Sequence, residues 1–334
     1  MKKFLCLSFL LWLIQPLPLH ADSETVVLGG DTIAITVNYD GVYVSGMYDF
    51  EMNGEIVSAA EEGTIQVGDR IVESNGRTIR NVEDLFSNLK PLQKSRNQIP
   101  VMVIRDGEKV AATLLVCYLE EEKVFKTGLY VKDKIKGIGT LTYYDPSSMT
   151  FGALGHEIAE EGQSTPADVS MGEVFKATVV SLRKSSAGNP GEKICRSESL
   201  IPVGTVSKNT IYGLYGQVSS IPKEAKVVPV GGRDEVHVGT AEIYTVLEGS
   251  TPQRYSIRIT EVKSQSEQAV KGIRFEVTDP QLISKTGGIV QGMSGSPILQ
   301  DGKLVGAVTH MVTNQPASGY GIYIDWMLEE SDSV

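Results

Sequence analysis

From Thr32 to Asn38 the chain reads Thr-Ile-Ala-Ile-Thr-Val-Asn, with polar and apolar side chains changing places along a short run. A period of two marks a strand with one buried face. Gly41-Val-Tyr-Val-Ser-Gly46 predicts a second strand edge. From 127 onward, short apolar runs recur between Gly, Pro and Asp turns: Gly139–Tyr144, Val174–Leu182, Glu242–Leu247, Tyr255–Val262, Ile273–Val277 and Leu304–Met311. Roughly a dozen short strands over this stretch predict an all-β barrel or a pair of barrels. No internal repeat and no low-complexity tract interrupts the pattern.

Between Ser58 and Leu85 the pattern changes. A short helical turn leads to Gly68-Asp69, a strand begins at Arg70, Asn75-Gly76 makes a hairpin turn, and a helix follows near Val82–Leu89. Val101–Arg105 and Ala112–Val116 supply further strands. With Ile65, Ile71, Ile79 and Leu85 in register, this resembles a bacterial PDZ domain over residues 41–118. The resemblance implies that an extended peptide adds to a sheet edge, in a groove between the Gly41–Gly46 strand and the helix. The charged stretch 119–126, containing Glu120-Glu-Glu-Lys123, is expected to be a linker, and residues 22–40 an N-terminal segment.

A length of 334 residues fits about two domains, and 41% hydrophobic with 22% charged residues is enough for a packed core. The net charge of −10 disfavours binding to nucleic acid. Lys2 and Lys3 precede the apolar run Phe4–Ile14, and Leu19-His-Ala21 is a tolerable cleavage site. Residues 1–21 are therefore expected to be a signal peptide, or an uncleaved N-terminal anchor, and the protein to be exported. Cys6 falls in that leader. Cys117 and Cys195 stand far apart and are expected to be unpaired thiols. No metal-ligand spacing is present and no cofactor is expected; His156, His237 and His310 are too scattered for zinc.

The chemistry is concentrated in Gly287–Pro297, where Gly292-Met-Ser-Gly-Ser-Pro297 sets Ser294 between glycines. Such a turn leaves the serine uncovered and can aim the amides of Gly292 and Ser294 at one point, an oxyanion hole. A bare Gly-x-Ser-Gly also suits a β-turn; the proline and the strand Leu304–Met311 behind it favour a nucleophile. A serine needs a neighbouring base. His156, where a strand ends at Gly155, is the leading candidate, with His310 the competitor and His237 a surface residue. The orienting acid is open among Asp145, Asp168, Asp234 and Asp279.

Seven stretches together are similar to the stage IV sporulation protein B (SpoIVB) serine peptidase family. They are Gly137–Pro146, Phe151–His156, Gly188–Lys193, Thr278–Pro280, Gly287–Pro297, Gly306–His310 and Ser318–Ile322 with Trp326-Met-Leu328. The resemblance covers nearly all of the chain after the leader. It implies a mainly β protein, with an N-terminal PDZ domain (α+β) followed by a chymotrypsin-like β-barrel serine peptidase domain over 127–334. It implies His156, Asp279 and Ser294 as the catalytic triad. Two departures stand out: Asp279 lies close before Ser294, and Glu157 follows His156 where the family favours a small residue. The resemblance further implies self-cleavage and cleavage of a regulator of an intramembrane protease. That places the protein between forespore and mother-cell membranes, in the pathway to a late mother-cell sigma factor. The PDZ domain would then bind the chain's own N-terminal region or the partner's tail. The competing expectations are an inactive peptide-binding scaffold and an envelope quality-control protease. In the latter class the peptidase normally comes first.

Overall fold

The computed structural model describes residues 24–58, 62–159 and 169–332. The expected leader 1–21 and the acid candidate Asp168 lie outside the described residues. Two six-stranded antiparallel barrels form the body. In the first, Leu129–Asp145 pairs with Thr150–Ala153, which pairs with Gly213–Val218, then Gly204–Thr210, Val169–Arg183 and Thr32–Met47, and back to Leu129–Asp145. In the second, Gly239–Thr245, Gln253–Val262, Ile273–Val277, Gln315–Tyr323, Lys303–Val312 and Pro297–Gln300 close on themselves. This is the chymotrypsin-like plan. The expected strands from residue 139 onward fall on these elements, Glu242–Leu247 running two residues past the strand end at Thr245.

The alternation in 32–39 has its cause here. Ile33, Ile35, Val37 and Tyr39 are buried, with Ile33, Ile35 and Val37 packing against Leu141, Phe151, Val174 and Leu214 inside the first barrel. Each such burial contributes about 1.5–3 kcal/mol. Residues 32–39 of the expected N-terminal segment therefore contribute a strand the first barrel cannot close without. Ile243, Ile257, Phe275, Ile298, Val308 and Ile322 fill the second barrel.

The strand Thr32–Met47 leaves the barrel after Tyr39 and becomes part of a third unit, so this unit is inserted into the first barrel. Within it, Val42 and Tyr43 pair with Ile71 and Arg70, and Arg70–Ser74 pairs with Arg96–Arg105, itself paired with Glu108–Leu119. Asn75 and Gly76 turn the hairpin with φ of 51° and 73°, the left-handed pair that such a turn needs. The helix Val82–Leu89 is capped by Asn81, whose side chain accepts from the Asp84 amide at 2.8 Å, and it buries Leu85 and Leu89. The stretch 119–126 is not a free linker. Val124–Lys126 folds back on Glu108–Leu119, with the Tyr118 and Phe125 rings 5.0 Å apart.

The chain then returns along its own outgoing strand. Leu129, Tyr130, Val131 and Lys132 pair with Met47, Gly46, Val44 and Tyr43, antiparallel, on the edge opposite Arg70–Ile71. Asp133 accepts from the Val82 amide at the helix start (2.9 Å), and Leu129 is buried with Val44, Leu85 and Leu89. The groove expected to be open to a peptide is thus lined and filled by residues 129–133. Among the described residues no helix is long and apolar enough to cross a membrane.

Candidate active site

The two barrels deliver their functional residues to one cleft of about 980 Å³, whose walls include His156, Lys193, Gly292, Ser294, Thr309 and His310. His156 comes from the first barrel. Thr150–Ala153 ends in a tight reversal in which Leu154 and Gly155 both have left-handed φ, 69° and 68°. A left-handed leucine is a strained backbone position, a feature common at active sites. The reversal packs on the second barrel: a Cβ at Gly155 would lie 2.9 Å from Thr309 Cγ2 and 3.0 Å from Ile322 Cγ2.

Ser294 comes from the second barrel, on the loop between Val290–Gln291 and Pro297–Gln300. The loop is pinned from both sides. The Ser294 carbonyl accepts from the Thr140 amide (2.8 Å), the Gly295 carbonyl from Thr142 Oγ1 (2.8 Å), and the Gly295 amide donates to Val308 O (2.7 Å). Met293 and Ser296 amides donate to Val290 O and Met293 O. Gly295 sits at φ +88°, and a Cβ there would lie 2.0 Å from Thr140 O, so only glycine fits. The Ser294 amide, in contrast, has no acceptor among the described residues; together with the Gly292 amide, which follows the pairing of Gln291 with Glu192, it is the pair the sequence marks as oxyanion donors.

The Ser294 hydroxyl donates to Thr309 O at 3.0 Å. His156 is half-buried and its Nδ1 lies 2.7 Å from Glu157 O. A carbonyl only accepts, so Nδ1 carries the proton and Nε2 keeps its lone pair. Burial, opposed by this hydrogen bond and the Glu157 charge, holds the imidazole below its ordinary pKa, and it is neutral near pH 7. His310 lies beside it, ring centroids 5.4 Å apart and the ring planes tilted by 42°, with a buried Nδ1 that has no partner among the described residues. Burial first, then the charges of His156 and Lys271, push His310 down to about 4; it stays neutral too.

Asp279 does not join them. Its Oδ1 accepts from the Gln281 and Leu282 amides (2.9 and 3.0 Å) and its Oδ2 from Ser256 (3.3 Å), capping the helix Pro280–Thr286. The other candidate acids are also engaged elsewhere. Asp145 accepts from Ser147 and Ser148 in a turn, and Asp234 lies in the short 3-10 turn Arg233–Glu235. His237 pairs with Asp301 on the surface at 2.9 Å. Cys117 and Cys195 are unpaired. Among the described residues no cluster of His, Cys, Asp or Glu could hold a metal ion.

Three contributors escaped the sequence reading: the Glu157 carbonyl, the Thr309 carbonyl, and the buried Thr140–Lys193 pair beneath the loop. Backbone acceptors leave no trace in side-chain identity. Thr140 and Thr142 do leave a weak one, since both flank Leu141 and so fall on the face of the strand turned away from the first barrel's interior.

No curated protein matched the chain. Among solved structures, the inactive form of a serine-to-alanine mutant of Rv3671c from M. tuberculosis H37Rv shares 15% identity, over 59% of this chain and 83% of that one, with a TM-score of 0.33. The SpoIVB peptidase S55 family matches over residues 123–328, well over half of the chain. The chain belongs to this family and is a serine peptidase.

Proposed function

We propose that this chain is an exported serine endopeptidase that cleaves itself and a membrane-associated regulator in sporulation signalling, with Ser294 as nucleophile and His156 as base. The observation that carries the catalytic part is the convergence of His156, its Nδ1 committed to Glu157 O, and Ser294 on one cleft between two barrels. The signalling part rests on family membership and on the leader-like residues 2–14.

In the proposed cycle Ser294 first leaves Thr309 O, at a cost of about 1 kcal/mol for a neutral hydrogen bond. Its Oγ attacks the peptide carbonyl carbon while His156 Nε2 takes the proton. The Gly292 and Ser294 amides hold the oxyanion. His156 then protonates the leaving amine, and water, activated by the same nitrogen, releases the acyl group. The Glu157 carbonyl orients His156 in place of a carboxylate. The inserted unit, with its PDZ-like order of elements, recruits an extended peptide only where that peptide displaces residues 129–132 from the sheet edge.

Intact-mass analysis of the exported chain and its Ser294→Ala variant over time tests this. Fragments from the wild type alone are expected. Fragments from both would overturn the assignment of Ser294.

A further inference from the structure

Lys193 is only 4% exposed, on the strand Gly191–Ser197 beneath the nucleophile loop. Its Nζ meets three hydroxyls from three strands: Thr245 Oγ1 at 2.9 Å, Thr32 Oγ1 at 3.3 Å and Thr140 Oγ1 at 3.4 Å. No carboxylate among the described residues pairs with it. A buried ammonium without a counter-ion is costly, and methionine would fill the same space without that cost. Three acceptors do, however, match the three N–H donors of an ammonium.

The use of this arrangement lies one bond further on. Thr140 Oγ1 donates to Gly292 O at 2.8 Å. An ammonium can only donate, so while Lys193 is protonated the Thr140 hydrogen is directed away from it, onto Gly292. The lysine stem also packs on Gly292: a Cβ there would lie 3.1 Å from Lys193 Cδ. Gly292 holds φ +91°, the conformation that sets the direction of its amide.

We propose that Lys193 is a positioning residue: its ammonium fixes the Thr140 hydroxyl, which pins the Gly292 carbonyl and keeps the Gly292 amide aimed at the oxyanion. The proposal rests on the assignment of Ser294 as nucleophile and Gly292 as oxyanion donor. Loss of the Lys193 proton turns Nζ into an acceptor. The Thr140 hydrogen then swings to nitrogen and Gly292 is released. Burial draws this amine down to about 7, so the switch falls inside the working range. Cys195, on the same strand, is the titratable group that acts on it. The elements packed against it present the hydroxyls of Thr32, Thr140, Thr245 and Ser296 and the Gly292 backbone.

The test is the rate at which a fluorophosphonate labels Ser294 in the full chain, from pH 5 to 9, with the labelled residue identified by mass spectrometry. The wild-type rate should rise as His156 loses its proton and fall again near pH 7. Lys193→Met and Thr140→Val should each be slower by about 10- to 100-fold at the optimum, the scale for a misplaced oxyanion donor. Lys193→Met should also lack the falling limb. Thr140→Ser, which keeps the hydroxyl, should label at nearly the wild-type rate. If Lys193→Met does not fold, the Thr140 pair decides: Val and Ser alike in rate overturn the proposal. Wild-type rates and an unchanged pH profile in Lys193→Met overturn it while leaving Ser294 as nucleophile. No labelling of Ser294 in the wild type overturns the nucleophile assignment and this proposal together.

Discussion

Replacing Asp279 by asparagine and by alanine separates a helix cap from a triad acid. The Asp279 carboxylate accepts three backbone N–H bonds, from Gln281, Leu282 and Ser256. Asparagine keeps an acceptor oxygen and caps a helix about as well as aspartate. Alanine removes the cap, at about 1 kcal/mol, and the Ser256 contact adds to this, for a total of about 1–2 kcal/mol. In a chain of this size that lowers the melting temperature by roughly 2–6 °C. The helix runs through its Gly287 cap straight into the nucleophile loop, so alanine should also slow catalysis severalfold. Asparagine should leave fluorophosphonate labelling of Ser294 within about threefold of wild type, because His156 takes its orientation from Glu157 O. An orienting carboxylate would behave otherwise: its asparagine variant loses on the order of 10⁴ in turnover with the geometry intact. An Asp279→Asn chain with an unchanged melting temperature and a labelling rate lower by thousands would refute the argument.

Gly295→Ala should destabilise the fold by more than about 2 kcal/mol, since its Cβ would meet Thr140 O at 2.0 Å in a left-handed position; a denaturant midpoint reads this directly. Labelling should persist below pH 6.5, because the folded His156 pKa is lowered and the base is still free there; a half-rate point above 6.5 would contradict the burial argument. Lys193→Met should gain stability over wild type at pH 6, and that gain should shrink by a few kcal/mol towards pH 10. The sign follows from a folded amine pKa near 7 against 10.5 unfolded: the wild type gains stability as pH rises between the two values. Urea unfolding at both pH values checks it.

The Ser294 loop was legible because its requirements are local. Glycines at 292 and 295 answer to backbone angles and close contacts that neighbouring residues impose. The strands were legible from their alternation, as at Ile33, Ile35 and Val37. Which strand pairs with which was not. Nothing in Thr32–Met47 says that its first half closes a barrel and its second half builds another unit, because the partners that decide this lie some 100 residues on. Asp279 was misread because Asp-Pro before a helix is the same residue pair whether the carboxylate meets backbone amides or an imidazole. Lys193 was opaque for a related reason. A lysine in a strand normally reaches solvent, and only Thr32, Thr140 and Thr245, far apart in sequence, make its burial tolerable.

The returning strand 129–132, laid on Tyr43–Met47, would make any peptide capture by the inserted unit a competition. A peptide adding to that edge must first displace Leu129, Tyr130, Val131 and Lys132, which are covalently tethered to the site and so present at an effective concentration of millimolar order or above. A free peptide of ordinary micromolar affinity is outcompeted at micromolar concentration. A peptide tethered near the site, and so locally concentrated, is not. The strand it displaces continues without a break to Thr140 and Thr142, the residues that hold the nucleophile loop. Occupancy of the groove and the set of the catalytic loop are thereby written into one length of backbone.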